Sequence, residues 1–103
     1  LNLEFSPAAA GDLEQIADQI ALDNPARALQ FVDQVEALCR SLTEFPFRAG
    51  ERSGISPGLR LKPLGLYLIA YRVLPNRLRI ERILHGARDL PALFADSGGN
   101  RDL

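Results

Sequence analysis

The sequence predicts an α+β domain in which a helical hairpin packs on one face of a small antiparallel sheet, in the order β-α-α-β-β-β. Three observations predict it. Two long stretches before residue 45 repeat apolar side chains at helical spacing, each opened by a capping residue and a proline. Three apolar runs after residue 58 carry strand patterning. The links between those runs are too short for parallel crossovers, so the three strands should be antiparallel. At 103 residues the chain fits one domain. Residues 1–96 are expected to form it, with 97–103 a frayed tail rich in Gly and polar side chains.

Each element has its own signal. "LNLEFS" alternates Leu1, Leu3 and Phe5 with polar residues, as a half-buried strand does. Ser6-Pro7 then opens a helix, because proline's missing N–H costs nothing in a first turn. Leu13, Ile16, Ala17, Ile20 and Ala21 form its apolar stripe and predict a helix over 7–22. Asn24-Pro25 repeats the start signal, and Ala28, Phe31, Val32, Val35, Leu38, Cys39 and Leu42 predict a helix over 25–45. The gap between the helices is only about two residues, so they should fold back on each other. "FPFRAGERSGISPG", residues 45–58, is punctuated by proline and glycine and reads as a loop. "LRLKPL" alternates apolar with basic side chains. "LYLIAYRVL" is apolar on both faces, as a central strand is. "RLRIERIL" follows a Pro75-Asn76 turn signal. After Gly86, Asp89 is placed to cap a short helix with Pro91 in its first turn.

Strict alternation puts Arg77, Arg79, Glu81, Ile83 and His85 on one face of the last strand, and Leu78, Ile80, Arg82 and Leu84 on the other. Arg60 and Lys62 share a face of the first of the three late strands. With Tyr67, Tyr71, Arg72 and Arg88 they make a basic, aromatic cluster on the sheet face turned away from the hairpin. Such a surface suits phosphates, stacked bases or a carboxylate-rich peptide. An ordinary wet sheet face, with Arg and Lys stems covering apolar atoms, produces the same pattern. His85 has the right unperturbed pKa for proton transfer, yet a lone histidine at a strand end is more often structural. No nucleophile elbow, phosphate loop or paired carboxylate accompanies it.

The charge balance is uneven. Residues 1–45 carry two basic and eight acidic side chains, whereas residues 46–103 carry ten basic and five acidic. The second half therefore invites an anionic partner. The total of −1 argues against a dedicated nucleic-acid binder, so direct DNA binding is not expected. The single cysteine, Cys39, lies on a buried stripe and excludes an internal disulfide. No Cys/His spacing suggests zinc, and no metal or cofactor is expected. No apolar run reaches the ~20 residues of a membrane span, and no signal peptide is visible, so the expected location is the cytoplasm. The chain starts without Met and is read as trimmed.

Three stretches together carry a resemblance: "FSPAAAGDLEQIADQIALDNPARALQFVDQV", "GLRLKPLGLYLIAYRVL" and "IERILHGARDL". In this order and spacing the chain resembles the ParE branch of the ParE/RelE superfamily of bacterial type II toxin–antitoxin systems, over roughly residues 2–95. The resemblance implies a plasmid-stabilising type of toxin that inhibits DNA gyrase by binding it. A cognate ParD-like antitoxin would neutralise it through an acidic, amphipathic carboxyl-terminal segment laid over hairpin and sheet. On that reading Arg60, Lys62, Tyr67, Tyr71 and Arg79 contact the antitoxin. Arg72, Arg82 and Arg88 contact the target, with "HGARD" a structural corner. The RelE-like alternative, ribosome-dependent mRNA cleavage, would draw on Arg60, Lys62, Arg72 and His85. It lacks the expected tyrosine after the last strand. A third reading keeps the fold as a non-toxic, antitoxin-binding regulatory module.

Overall fold

The computed structural model describes residues 1–86 and 90–97. Strand β1 (Asn2–Phe5) leads into helix α1 (Pro7–Ala21) and helix α2 (Pro25–Glu44). Strands β2 (Arg60–Leu64), β3 (Tyr67–Val73) and β4 (Arg77–His85) follow, then helix α3 (Leu90–Ser97). The order is the expected one. Ser97 closes α3, and the rest of the expected tail, residues 98–103, lies outside the described residues.

Both helix starts work as the sequence implies. Ser6 and Asn24 sit in extended backbone, each accepts from the N–H three residues on (Ala9 and Arg27), and each is followed by proline at the first helical position. The stripes of α1 and α2 face the sheet. Ala9, Phe31, Val35, Cys39 and Leu42 are buried, with Leu13, Ile16, Ile20 and Leu38 packed against them. Burying one such large apolar side chain is worth about 1.5–3 kcal/mol. The sheet contributes Ile69, Tyr71, Leu78, Ile80 and Ile83 to the same core.

The sheet order is β1-β4-β3-β2. The three late strands pair antiparallel as predicted, and β3 is central and apolar on both faces. The first strand changes the description: β1 runs parallel to β4, from Asn2↔Arg77 to Phe5↔Ile80, so the complete sheet is mixed. Parallel neighbours need a long crossover. Here the hairpin, the loop and two strands together supply it. Leu1 falls outside β1 and is exposed, and only Phe5 of the three predicted apolar positions packs against the core.

Two further features depart from simple alternation. Ala70 pairs with Arg82 but Tyr71 pairs with Ile80, so Glu81 is an extra residue, a β-bulge in β4. The bulge inverts side-chain parity beyond it. Ile83, rather than Leu84, joins Leu78 and Ile80 under the helices, while Leu84 lies on the opposite face. That opposite face is also less open than expected. Leu59, Leu61, Ala70, Leu84 and Phe94 form a second buried cluster, roofed by the loop before β2 and by α3. Gly65 holds a positive φ of 59° in the two-residue turn between β2 and β3, a conformation that favours glycine.

Candidate functional site

On the face away from the hairpin, three arginines and two glutamates form a chain. Arg77 Nε lies 2.5 Å from Glu4 Oε1 and Arg79 Nη1 lies 3.4 Å from Glu4 Oε2. Glu81 spans the next gap, with Oε1 at 3.5 Å from Arg79 and Oε2 at 3.1 Å from Arg72. Arg72 and Arg79 stand directly opposite in the ladder, a pairing that like charges disfavour. The bulge supplies the carboxylate that offsets this repulsion. Arg72 also donates to Ser56 Oγ and to the Pro57 carbonyl, which ties the strand to the loop before β2.

The outer edge of β4 changes hands at the bulge. Pairing with β1 ends at Phe5↔Ile80. Beyond it, the capping residue of α1 and a side chain of the helix itself take over the ladder's hydrogen bonds. Ser6 Oγ donates to the Glu81 carbonyl at 2.8 Å, and Asp12 Oδ2 accepts from the Ile83 N–H at 2.9 Å. The same carboxylate accepts from Arg82 Nε at 2.7 Å, while Oδ1 accepts from Arg82 Nη2 at 3.0 Å. Asp12 thereby holds the Arg82 guanidinium above its usual pKa. Sequence reasoning missed Asp12, because its place on α1 looked merely polar. Next to this junction, Ser6, Ala8, Arg79, Glu81, Arg82 and Phe94 help to line a cavity of about 440 Å³.

The remaining predicted site residues lie on the hairpin side of the sheet. Arg60 pairs with Tyr71, Lys62 with Ile69 and His85 with Tyr67, all on that face. This corrects their assignment to the face turned away from the hairpin. The four residues that an RNA-cleaving site would need are therefore divided. Arg60, Lys62 and His85 are on one side of the sheet, and Arg72 is on the other beside Arg79. Tyr71 is not a surface residue: it is fully buried, its hydroxyl donates to the Pro46 carbonyl at 2.8 Å, and burial pushes its pKa up. Tyr67 is half-buried, with its ring 5.1 Å from that of Phe31 and 5.7 Å from the His85 imidazole in an edge-to-face contact. His85 itself is exposed at the strand end. Arg88, and the Asp89 cap expected beside it, lie outside the described residues.

Two surfaces had no place in the sequence reading. One is an apolar groove of about 340 Å³ where the hairpin meets β1, lined by Phe5, Leu13, Ala17 and Val32 and rimmed by Glu14 and Glu36. The other is the segment after α2, where Phe45 and Phe47 stand exposed with arginines over their rings. The signal was present in "FPFRAG": two phenylalanines that no helical or strand period accounts for. Among the described residues, no group of three or more His, Cys, Asp or Glu gathers as a metal would require, and no helix is long and apolar enough to cross a membrane.

The family model for the ParE toxin of the type II toxin–antitoxin system parDE matches residues 3–90, nearly the whole described chain. The chain belongs to the ParE toxin family. Toxin ParE3 of Caulobacter vibrioides is 29% identical over 84 residues, covering 81% of this chain and 84% of that relative. A chain of the chromosomal ParDE toxin–antitoxin system from P. aeruginosa superposes with a TM-score of 0.71 at 26% identity, over 82% of this chain and 95% of that one. In this ParE-family chain the fold is a helical hairpin on a mixed four-stranded sheet.

Proposed function

We propose that this ParE-family chain arrests growth in the bacterial cytoplasm by gripping a protein target, DNA gyrase, and that a ParD-like antitoxin from an adjacent gene neutralises it. The observation that carries the reading is the division of Arg60, Lys62, Arg72 and His85 between the two faces of the sheet. A phosphoryl-transfer site needs its proton-transfer group and its charge-stabilising cations converging on one phosphate. By contrast, Arg72 and Arg82 are held by Glu81 and Asp12. Cations fixed in advance lose little entropy on docking, which suits a binding surface.

Expression of the chain alone and with the adjacent gene tests this, scoring the SOS response against loss of translation. Growth should stop with SOS induction, purified chain should inhibit gyrase supercoiling, and the adjacent gene should restore growth. His85→Gln keeps size and hydrogen bonding and should leave toxicity nearly intact. A lost general acid or base typically costs about 10²–10⁴ in rate. Arrest of translation with cleaved mRNA, abolished by His85→Gln, would reject the gyrase reading in favour of RNA cleavage. Unimpaired growth would leave a non-toxic regulatory module.

A further inference from the structure

Helix α2 ends at Glu44, and the next residues turn two phenylalanines outward: Phe45 is 52% exposed and Phe47 65%. Exposed aromatic rings on a floppy loop would mean little, but this loop is pinned from beneath. The Tyr71 hydroxyl donates to the Pro46 carbonyl at 2.8 Å, and Arg60 Nη1 donates to the Ala49 carbonyl at 2.6 Å. Ala49 is buried in the core, and the Glu51↔Arg60 bridge joins the loop to β2. Each ring is backed by a cation. The guanidinium carbon of Arg48 lies 4.7 Å from the Phe45 centroid and that of Arg60 lies 4.9 Å from the Phe47 centroid. Lys62 shares the strand face of Arg60. Among the described residues neither Arg48 nor Lys62 has an ion pair. The carboxylate of Glu51 is drawn to the Ser53 hydroxyl and the Gly58 N–H, which hold its pKa down, and it reaches Arg60 only at 3.9 Å.

We infer that Phe45 and Phe47 form a preorganised knob that anchors an acidic protein segment carrying an apolar cleft or turn. Within the proposed function, on which this rests, that segment belongs to the antitoxin. The rings supply apolar contact area at little ordering cost, and the unpaired cations around them select carboxylates. A nucleic acid fits less well. One face of each ring is already stacked on arginine, which leaves less ring surface for a stacked base.

The test uses the full chain and the purified product of the adjacent gene. Phe45→Ala/Phe47→Ala should melt like the parent, since both rings are exposed, yet bind that product at least tenfold more weakly, mainly through faster dissociation. Arg48→Glu should slow association, with a smaller salt dependence than the parent. Equal affinity of parent and double variant would overturn the knob while leaving the neutralisation reading intact. A parent that does not bind the product at all would overturn both. A labelled single-stranded oligonucleotide bound by the parent and lost by the double variant would assign the knob to nucleic acid instead.

Discussion

Asp12 shows how a single carboxylate can join secondary structure to a charged surface. It occupies a helix position that periodicity assigns to solvent, yet it closes the unpaired edge of β4 and fixes Arg82 at once. Removing it leaves a buried-edge N–H and a partly buried guanidinium without their acceptor. Asp12→Ala should therefore destabilise the fold by about 1.5–3 kcal/mol, the range for a hydrogen bond to a charged group. Glu14→Ala, on the exposed side of the same helix, should change stability by less than about 0.5 kcal/mol. Urea denaturation of the two variants separates them, and equal midpoints would contradict the role given to Asp12. Cys39 is the opposite kind of residue, fully legible from its stripe. Burial, with a smaller push from Glu36, raises its thiol to about 12. Native protein should resist alkylation at pH 8. The unfolded thiol titrates near the ordinary value of 9.0. Above that pH the unfolded state binds fewer protons than the folded one, so stability falls as pH rises towards 12. The slope from this group approaches about 1.4 kcal/mol per pH unit, and Tyr71, also raised by burial, acts in the same direction. Urea midpoints at pH 8 and pH 10 read the effect, which Cys39→Ala should reduce.

At the scale of elements, the helices were readable almost to the residue, because capping chemistry and a 3.6-residue period state the same boundaries. The burial of Val35 follows from that stripe, and Val35→Asp would bury an unpaired charge at a cost of several kcal/mol. A thermal melt like that of the parent would refute the stripe. The three late strands were readable for the same reason. What alternation could not show is an inserted residue: nothing in "RIERILH" marks Glu81 as the bulge, since its neighbours remain plausible on either face. That one residue moved His85, Ile83 and Leu84 to faces other than those assigned. The parallel pairing of β1 was equally hidden, because four residues carry no record of their neighbour's direction. The candidate site suffered more than the fold. Cations could be counted from sequence, but whether Arg77, Arg79 and Arg82 stay available depends on Glu4, Glu81 and Asp12, which are distant in the chain.

For the whole molecule, the parallel pairing of β1 with β4 has a consequence for how the protein is made. The second residue of the chain finds its partner at residue 77, and Ser6 and Asp12 reach their acceptor and donors only at residues 81–83. Synthesis proceeds at roughly 5–20 residues per second. The hairpin is therefore complete seconds before the strand that covers its apolar stripe exists. A nascent chain stopped short of β4 has no closed core, no fixed Arg82 and no charged face. The last strand of the sheet acts as a timing device: the closed core, the fixed Arg82 and the charged face come into being together, once residues 77–85 have been made.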